Sequence, residues 1–312
     1  MPGRLLPVTD HASRVLLEGI VDYAGLFPPA GVDMMDAVRN YAHYRAGGAG
    51  WMLGRFVCPA SRLARFSEVA DPLLPRDAGA VPWRLTAISS GDVPVDLLDI
   101  SAFNERHRVC FEECGAFVDA YEVRVNSALD VATIDAAIPL DLVTYLEVTA
   151  DNAQVLLPRI AATGRRAKLR TGGVTADAFP SADAIVSFLE HCIEHAIVAK
   201  ATAGLHHTMC GAYRLTYDEN APSSRMFGYL NVFLAAALLA HGGEAAQAVR
   251  LVNESDPFTL TIEEEHVTWR SPSGPVVLDR ALLQRVREQV LVSFGSCSFT
   301  EPVNEIRAMG WI

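Results

Sequence analysis

Apolar and polar positions along the chain alternate between two periods, and the alternation itself repeats. Ile20 to Phe27 is a short, mostly apolar run ended by Pro28-Pro29, as expected of a strand with a loop behind it. Met34, Val38, Tyr41 and Ala42 then recur at helical spacing over residues 33–46. The same pairing returns along the chain: a strand from Trp51 to Val57 and a helix over 60–70, a strand from Trp83 to Ile88 and a helix over 96–114. A strand from Phe117 to Val125 precedes a short helix over 128–137, and a strand from Leu142 to Val148 precedes a helix running from Asp151 to Gly164. Lys168 sits in the sixth strand-like run, and a helix over 181–195 leads to Lys200 in the seventh.

Successive strands start roughly 25 to 34 residues apart, the length of one βα unit. Seven such units imply a parallel sheet, and no glycine fingerprint for a dinucleotide follows the first strand. The fold class expected is therefore α/β, a (β/α)8 TIM-type barrel, with a C-terminal elaboration that includes a β-hairpin. The chain reads as one domain over 1–312, with a barrel core of about 15–245 and the elaboration over about 246–312. After the seventh strand, residues 208–225 read as a polar lid-length loop, and 226–241 as a helix apolar nearly all round. Phe258 to Ile262 and His266 to Trp269 suggest the hairpin, and a helix covers about 279–290. Both the hairpin's first arm and the run from Val290 to Phe294 qualify as the eighth strand.

Alternation turns the strands into a candidate site, because residues two apart share a face. With the apolar residues turned toward the helices, Glu122 and Arg124 point inward from the fourth strand, and Tyr145 and Glu147 from the fifth. The sixth sends in Lys168 and Arg170, the seventh Lys200 and Thr202. Four cations against two carboxylates suit a small anionic substrate, a phosphate or a carboxylate, while a structural ion-pair network would use the same residues. Composition sharpens the point. Of 26 Lys and Arg residues only two are lysine, and these are Lys168 and Lys200. A buried lysine amine can lose its proton and attack a carbonyl, which arginine cannot do, and a neighbouring cation favours that loss.

These segments resemble the deoxyribose-phosphate aldolase type of class I aldolase. Lys168-Leu169-Arg170-Thr171-Gly172 is similar to that family's Lys-x-x-Thr-Gly stretch on strand six, and Ala199-Lys200-Ala201-Thr202-Ala203-Gly204 to its strand-seven run. Val21-Asp22 to Pro28 is similar to its opening strand and loop. The resemblance implies Lys168 as imine former and Lys200 as the neighbouring amine that eases its deprotonation. Glu122, Glu147 or Asp92 could fill that family's acidic proton relay, and Asp22 is a further catalytic candidate. The expected function is an aldolase-like lyase acting through a lysine imine on a small anionic carbonyl compound. Arg170 departs from the family pattern, as do His206 and His207 after strand seven.

Other residues keep two readings each. Arg170-Thr171-Gly172-Gly173 could cradle a phosphate on backbone amides or be an ordinary turn. Arg55 could bind a carboxylate or form an outer ion pair. His206 or His207, with barrel carboxylates, could hold a metal for a metal-assisted lyase or isomerase, although no HExxH-type spacing supports one. A non-catalytic metabolite-binding barrel is the third reading. No metal and no cofactor are expected. A net charge of −11 disfavours nucleic acid as a partner, and the longest apolar run, Phe227 to Ala240, is too short to span a membrane. A hydrophobic stretch of signal-peptide type is not evident at the start, so a cytoplasmic protein is expected, with a homo-oligomer allowed. Six cysteines show no paired framework; Cys110 and Cys114 would share a helix face.

Overall fold

The structure, a computed structural model, describes residues 11–77, 79–107 and 115–312. Eight parallel strands close into a barrel. The first seven are β1 (Val21–Tyr23), β2 (Leu53–Pro59), β3 (Trp83–Ile88), β4 (Ala116–Arg124), β5 (Val143–Val148), β6 (Arg166–Arg170) and β7 (Ala199–Thr202). Between them lie α2 (Met34–Ala46), α3 (Leu63–Ala70), α4 (Val93–His107), α5 (Ala128–Ala137), α6 (Ala150–Thr163) and α7 (Ala182–Glu194), with α1 (Ala12–Leu17) ahead of the barrel. The fold is the (β/α)8 barrel that the periodicity predicts. The sequence places the helix after β3 over 96–114; it begins at Val93 and is described to His107, and Cys110 and Cys114 lie outside the described residues.

Local chemistry starts and stops these elements. Asp33 caps α2, accepting a hydrogen bond from the Asp36 amide. Ser127 and Asp130 form a reciprocal box at the start of α5, and Thr149 with Asn152 does the same for α6. Gly164 ends α6 in the left-handed conformation, at φ 71°, where a side chain would be strained. Between barrel and helices, the rings of Tyr23, Tyr41, Phe56, Phe66 and Trp83 meet at centroid separations of 4.9 to 6.4 Å, edge-on or tilted except for the stacked pair Tyr23 and Tyr41.

The C-terminal third differs from the sequence expectation. The eighth barrel strand is β13 (Leu291–Ser296), inserted between β7 and β1. It comes from the stretch expected to be an elaboration, so the barrel core does not end near 245. Before it, residues 208–225 are not a plain loop but form most of a two-stranded ribbon, β8 (Gly211–Arg214) and β9 (Ser223–Met226). The expected hairpin is a three-stranded sheet of β10 (Leu260–Ile262), β11 (His266–Ser271) and β12 (Gly274–Asp279). Its central strand buries Trp269, whose indole donates to Glu254. The third strand gives the central strand β11 a hydrogen-bonding partner on both sides.

Helix α8 (Tyr229–Ala240) is almost wholly buried because α7, α9 (Ala245–Val252), α10 (Arg280–Gln289), β12 and β13 surround it. That environment accounts for its lack of a polar face. A final helix, α11 (Thr300–Ala308), follows β13. No described helix is long and apolar enough to cross a membrane.

Because β1 and β7 both pair with β13, a chain cut after residue 245 leaves an open sheet with two bare edges. The full chain is expected to unfold in one cooperative transition and the truncated chain in none. Denaturant titration followed by circular dichroism checks both, and a cooperative transition in the truncated chain would refute the single-domain arrangement.

Candidate active site

The C-terminal ends of the barrel strands frame a cavity of about 290 Å³. Its floor is charged. Lys168 and Lys200 are register partners on β6 and β7, and Glu147 is the partner of Lys168 on β5. Lys168 Nζ lies 2.5 Å from Glu122 Oε2 and 2.7 Å from Glu147 Oε2. Lys200 Nζ lies 2.7 Å from Glu122 Oε1 and also donates to Asp22 Oδ2. One carboxylate, Glu122, thus serves both ammonium groups, one on each oxygen.

Asp22 is anchored from three sides. Besides Lys200, it accepts from the Ser293 hydroxyl at 2.8 Å and from the Arg55 backbone amide at 2.8 Å. Gly54 makes room for it, since a Cβ there would meet Asp22 Oδ1 at 2.4 Å. Tyr145 lies beside the cluster, with Lys200 Nζ 5.3 Å from its ring centroid. Arg170 closes the chain of charges at the mouth, half exposed, its Nε 3.3 Å from Glu147 Oε1.

Burial and partners pull the acid–base balance in opposite directions. Burial alone would raise the Glu122 carboxyl, but Lys168 and Lys200 overcome it and hold it down to about 2. Glu147 is likewise lowered against its burial, by Lys168 and then Arg170. Burial would lower Lys200, yet Asp22 and Glu122 carry it above the usual lysine range, so it stays charged.

Several residues singled out from the sequence lie elsewhere. Arg124 is exposed at the end of β4 and faces a groove with Ser90, Asp92 and Leu129, away from the lysines. Arg55 shares the inward face with Val57 but sits toward the start of β2, where it pairs with Asp119 at 2.6 Å. Asp119 reaches Arg55 because the β3–β4 register shifts between Leu85 and Thr86, leaving Asp119 as the extra residue. Arg84 holds the same carboxylate at 2.5 Å, which makes an ion cluster at the closed end of the barrel. Arg55 is thus an internal ion pair, not a group of the cavity.

The excess of inward cations disappears as a result. Lys168, Lys200 and Arg170 face Asp22, Glu122 and Glu147, and the site is balanced. The expectation of an anionic substrate loses the charge count that motivated it.

The stretch after β6 does not form an open phosphate cradle. Thr171 is buried and its hydroxyl reaches the Ala203 carbonyl at 2.5 Å. A Cβ on Gly172 would meet the Phe179 ring at 2.5 Å and the Gly204 Cα at 2.8 Å, so that glycine serves close packing. Of this stretch, Arg170 and Gly173 line the cavity. Thr202 and His206 line it too, whereas His207 pairs with Glu305 at 2.6 Å and lies in an adjoining cavity. Ala203, another wall residue, is held in the left-handed region at φ 60°, a strained setting for a residue with a Cβ.

Of the residues that reach the site from the eighth strand, Ser293 is the one that the sequence pattern did not single out. Ser293, Ser296 and Cys297 all come from β13 or the turn behind it, the strand whose position the pattern left undecided. No three His, Cys, Asp or Glu side chains converge as a metal site among the described residues. Glu122 and Glu147 both spend an oxygen on Lys168, and His206 is turned to Ser296 at 2.9 Å.

No family model matches the sequence, and no curated protein matches it. Among solved structures, the barrel is similar to deoxyribose phosphate aldolase from Aeropyrum pernix, described as a tetramer. The TM-score is 0.41 and the identity 13%, over 65% of this chain and 87% of that one. So loose a match says nothing about activity.

Acid sensitivity tests the shared carboxylate. With a folded value near 2 against 4.5 unfolded, Glu122 contributes about 3 kcal/mol of stability above pH 5, lost as the pH falls toward 2. Glu122→Gln should cost about 3–5 kcal/mol at pH 7 by leaving two buried ammoniums underpaired. The gap to the original protein should narrow by about 2 kcal/mol at pH 3. Urea denaturation at both pH values checks this, and a gap independent of pH would contradict the assignment.

Proposed function

We propose that the protein is an aldolase-like carbon–carbon lyase that forms an imine between Lys168 and a small carbonyl compound. The observation carrying this reading is the pair of lysines on adjacent strands, sharing Glu122 at the floor of a cavity. Arginine serves as the cation at 24 other positions, so the retention of amines here fits a need for nucleophilicity rather than charge. Lys168 is the better candidate, because its second partner, Glu147, is the most accessible of the three carboxylates and can exchange protons with a ligand.

The steps follow from this arrangement. Lys168 first gives up a proton to solvent by way of Glu147, and its amine adds to the substrate carbonyl carbon. A proton returned by the same route lets the carbinolamine oxygen leave as water, and an iminium ion remains. The iminium nitrogen then accepts the electron pair of the neighbouring carbon–carbon bond. As that bond breaks, the β-hydroxyl proton passes to Glu147 and the far fragment leaves as an aldehyde. Glu147 returns the proton to the enamine carbon, and water releases the second product from Lys168. Lys200 remains protonated, held by Asp22 and Glu122, and supplies a fixed positive charge beside the reacting nitrogen. The apolar walls, among them Phe27, Val57 and Ile88, keep bulk water from the iminium.

Borohydride added with short aldehydes should attach one adduct, mapped by mass spectrometry to Lys168. Lys168→Arg should abolish it. Lys200→Met should slow it roughly 10- to 100-fold at pH 7, from loss of the neighbouring charge, while labelling stays on Lys168. A binding barrel without catalysis would show no adduct, and labelling at Lys200 alone would reverse the assignment of roles.

A further inference from the structure

The lysine cavity does not end at its mouth. A second cavity, of about 300 Å³, lies under the β8–β9 ribbon and shares Gly173 and His206 with the first. The two are lined differently. Side chains of the first are apolar above a charged floor, whereas the second presents Thr216, Tyr217, Arg214, His207 and Glu301. The Tyr217 hydroxyl donates to Glu301 at 3.1 Å, which ties the ribbon's turn to α11 and roofs the space.

His206, between the two cavities, has its hydrogen-bonding role set by its neighbours. The Ser296 hydroxyl donates to the Ser298 carbonyl at 2.6 Å, so toward His206 it can only accept. His206 Nδ1, 2.9 Å away, must then carry the proton. Nε2 is left as a lone-pair acceptor with no partner among the described residues. Burial and the adjacent His207 push this imidazole down to about 4, so it is neutral at physiological pH. A neutral acceptor at the junction welcomes a hydroxyl and repels an anionic oxygen.

Charge points the same way. The lysine cavity is balanced, and conversion of Lys168 to its amine form would leave it with a net negative charge. In the second cavity Arg214 is offset by Glu301, and His207 by Glu305. Nowhere along the two is there a surplus of positive charge for a phosphate. We propose that the second cavity is the tail subsite of the lysine cavity, and that the substrate is an uncharged, hydroxylated carbonyl compound long enough to reach both. The proposal rests on the imine reading for the position of the carbonyl and on the second cavity for the tail.

The experiment uses the full chain with cyanoborohydride and three probes: propanal, erythrose and erythrose 4-phosphate. Each is compared at matched free-aldehyde concentration, with its reactivity normalised to acetyl-lysine. Erythrose should half-label Lys168 at a concentration at least tenfold below that of propanal and of the phosphate ester. In Thr216→Leu, which fills the second cavity with an apolar side chain, the erythrose-to-propanal preference should fall at least fivefold. Erythrose no better than propanal, or the phosphate ester better than erythrose, would overturn the proposal. If no aldehyde labels either lysine, the imine reading fails by itself. The subsite is then judged by saturation-transfer NMR with erythritol: a signal that inorganic phosphate does not displace and that Thr216→Leu weakens supports it, and no signal sinks it.

Discussion

Two ammonium groups and one carboxylate, all out of water, set the terms for this barrel. Isolated charges in such a place would cost several kcal/mol each, so every member needs partners in fixed positions. Glu122 can bridge Lys168 and Lys200 only because β4, β6 and β7 hold their registers, and Asp22 completes the Lys200 shell only because Gly54 leaves space. Ser293 and the Arg55 amide then fix Asp22. The cluster therefore draws on seven of the eight strands, and the interior polar chemistry and the closure of the barrel depend on each other.

Much of this was readable from the sequence because barrel strands obey a strict two-residue period. The inward placement of Glu122, Glu147, Lys168 and Lys200 follows from which neighbours are apolar, and the structure gathers all four. The same rule misplaces Arg124, because at the strand end no neighbouring layer forces its side chain into the lumen. It is silent on depth: Arg55 faces inward but two residues too early to reach the cavity. The register shift at Asp119 breaks the period, so its pairing with Arg55 was invisible in one dimension.

The eighth strand shows a different limit. Leu291–Ser296 is short and apolar, but so is the first arm of the preceding sheet, and alternation cannot say which run closes a barrel. Ser293 was lost with it. Long-range pairing decides the matter, since β13 alone can satisfy the edges of both β1 and β7.

Two adjacent, hydrogen-bonded strands, β7 and β13, are joined by a connection that runs from Ala203 to Val290. Ala203 and Gly204, both left-handed, turn the chain sharply away from the sheet, and the Thr171 hydroxyl clamps the turn to β6. Everything beyond that turn, the ribbon included, is carried on a single excursion from an otherwise regular scaffold. The lysine floor belongs to the strands and the roof to the excursion, so the two can diverge at different rates. A lineage could exchange ribbon residues such as Thr216 or Tyr217, and with them the compound accepted, without disturbing a single barrel register.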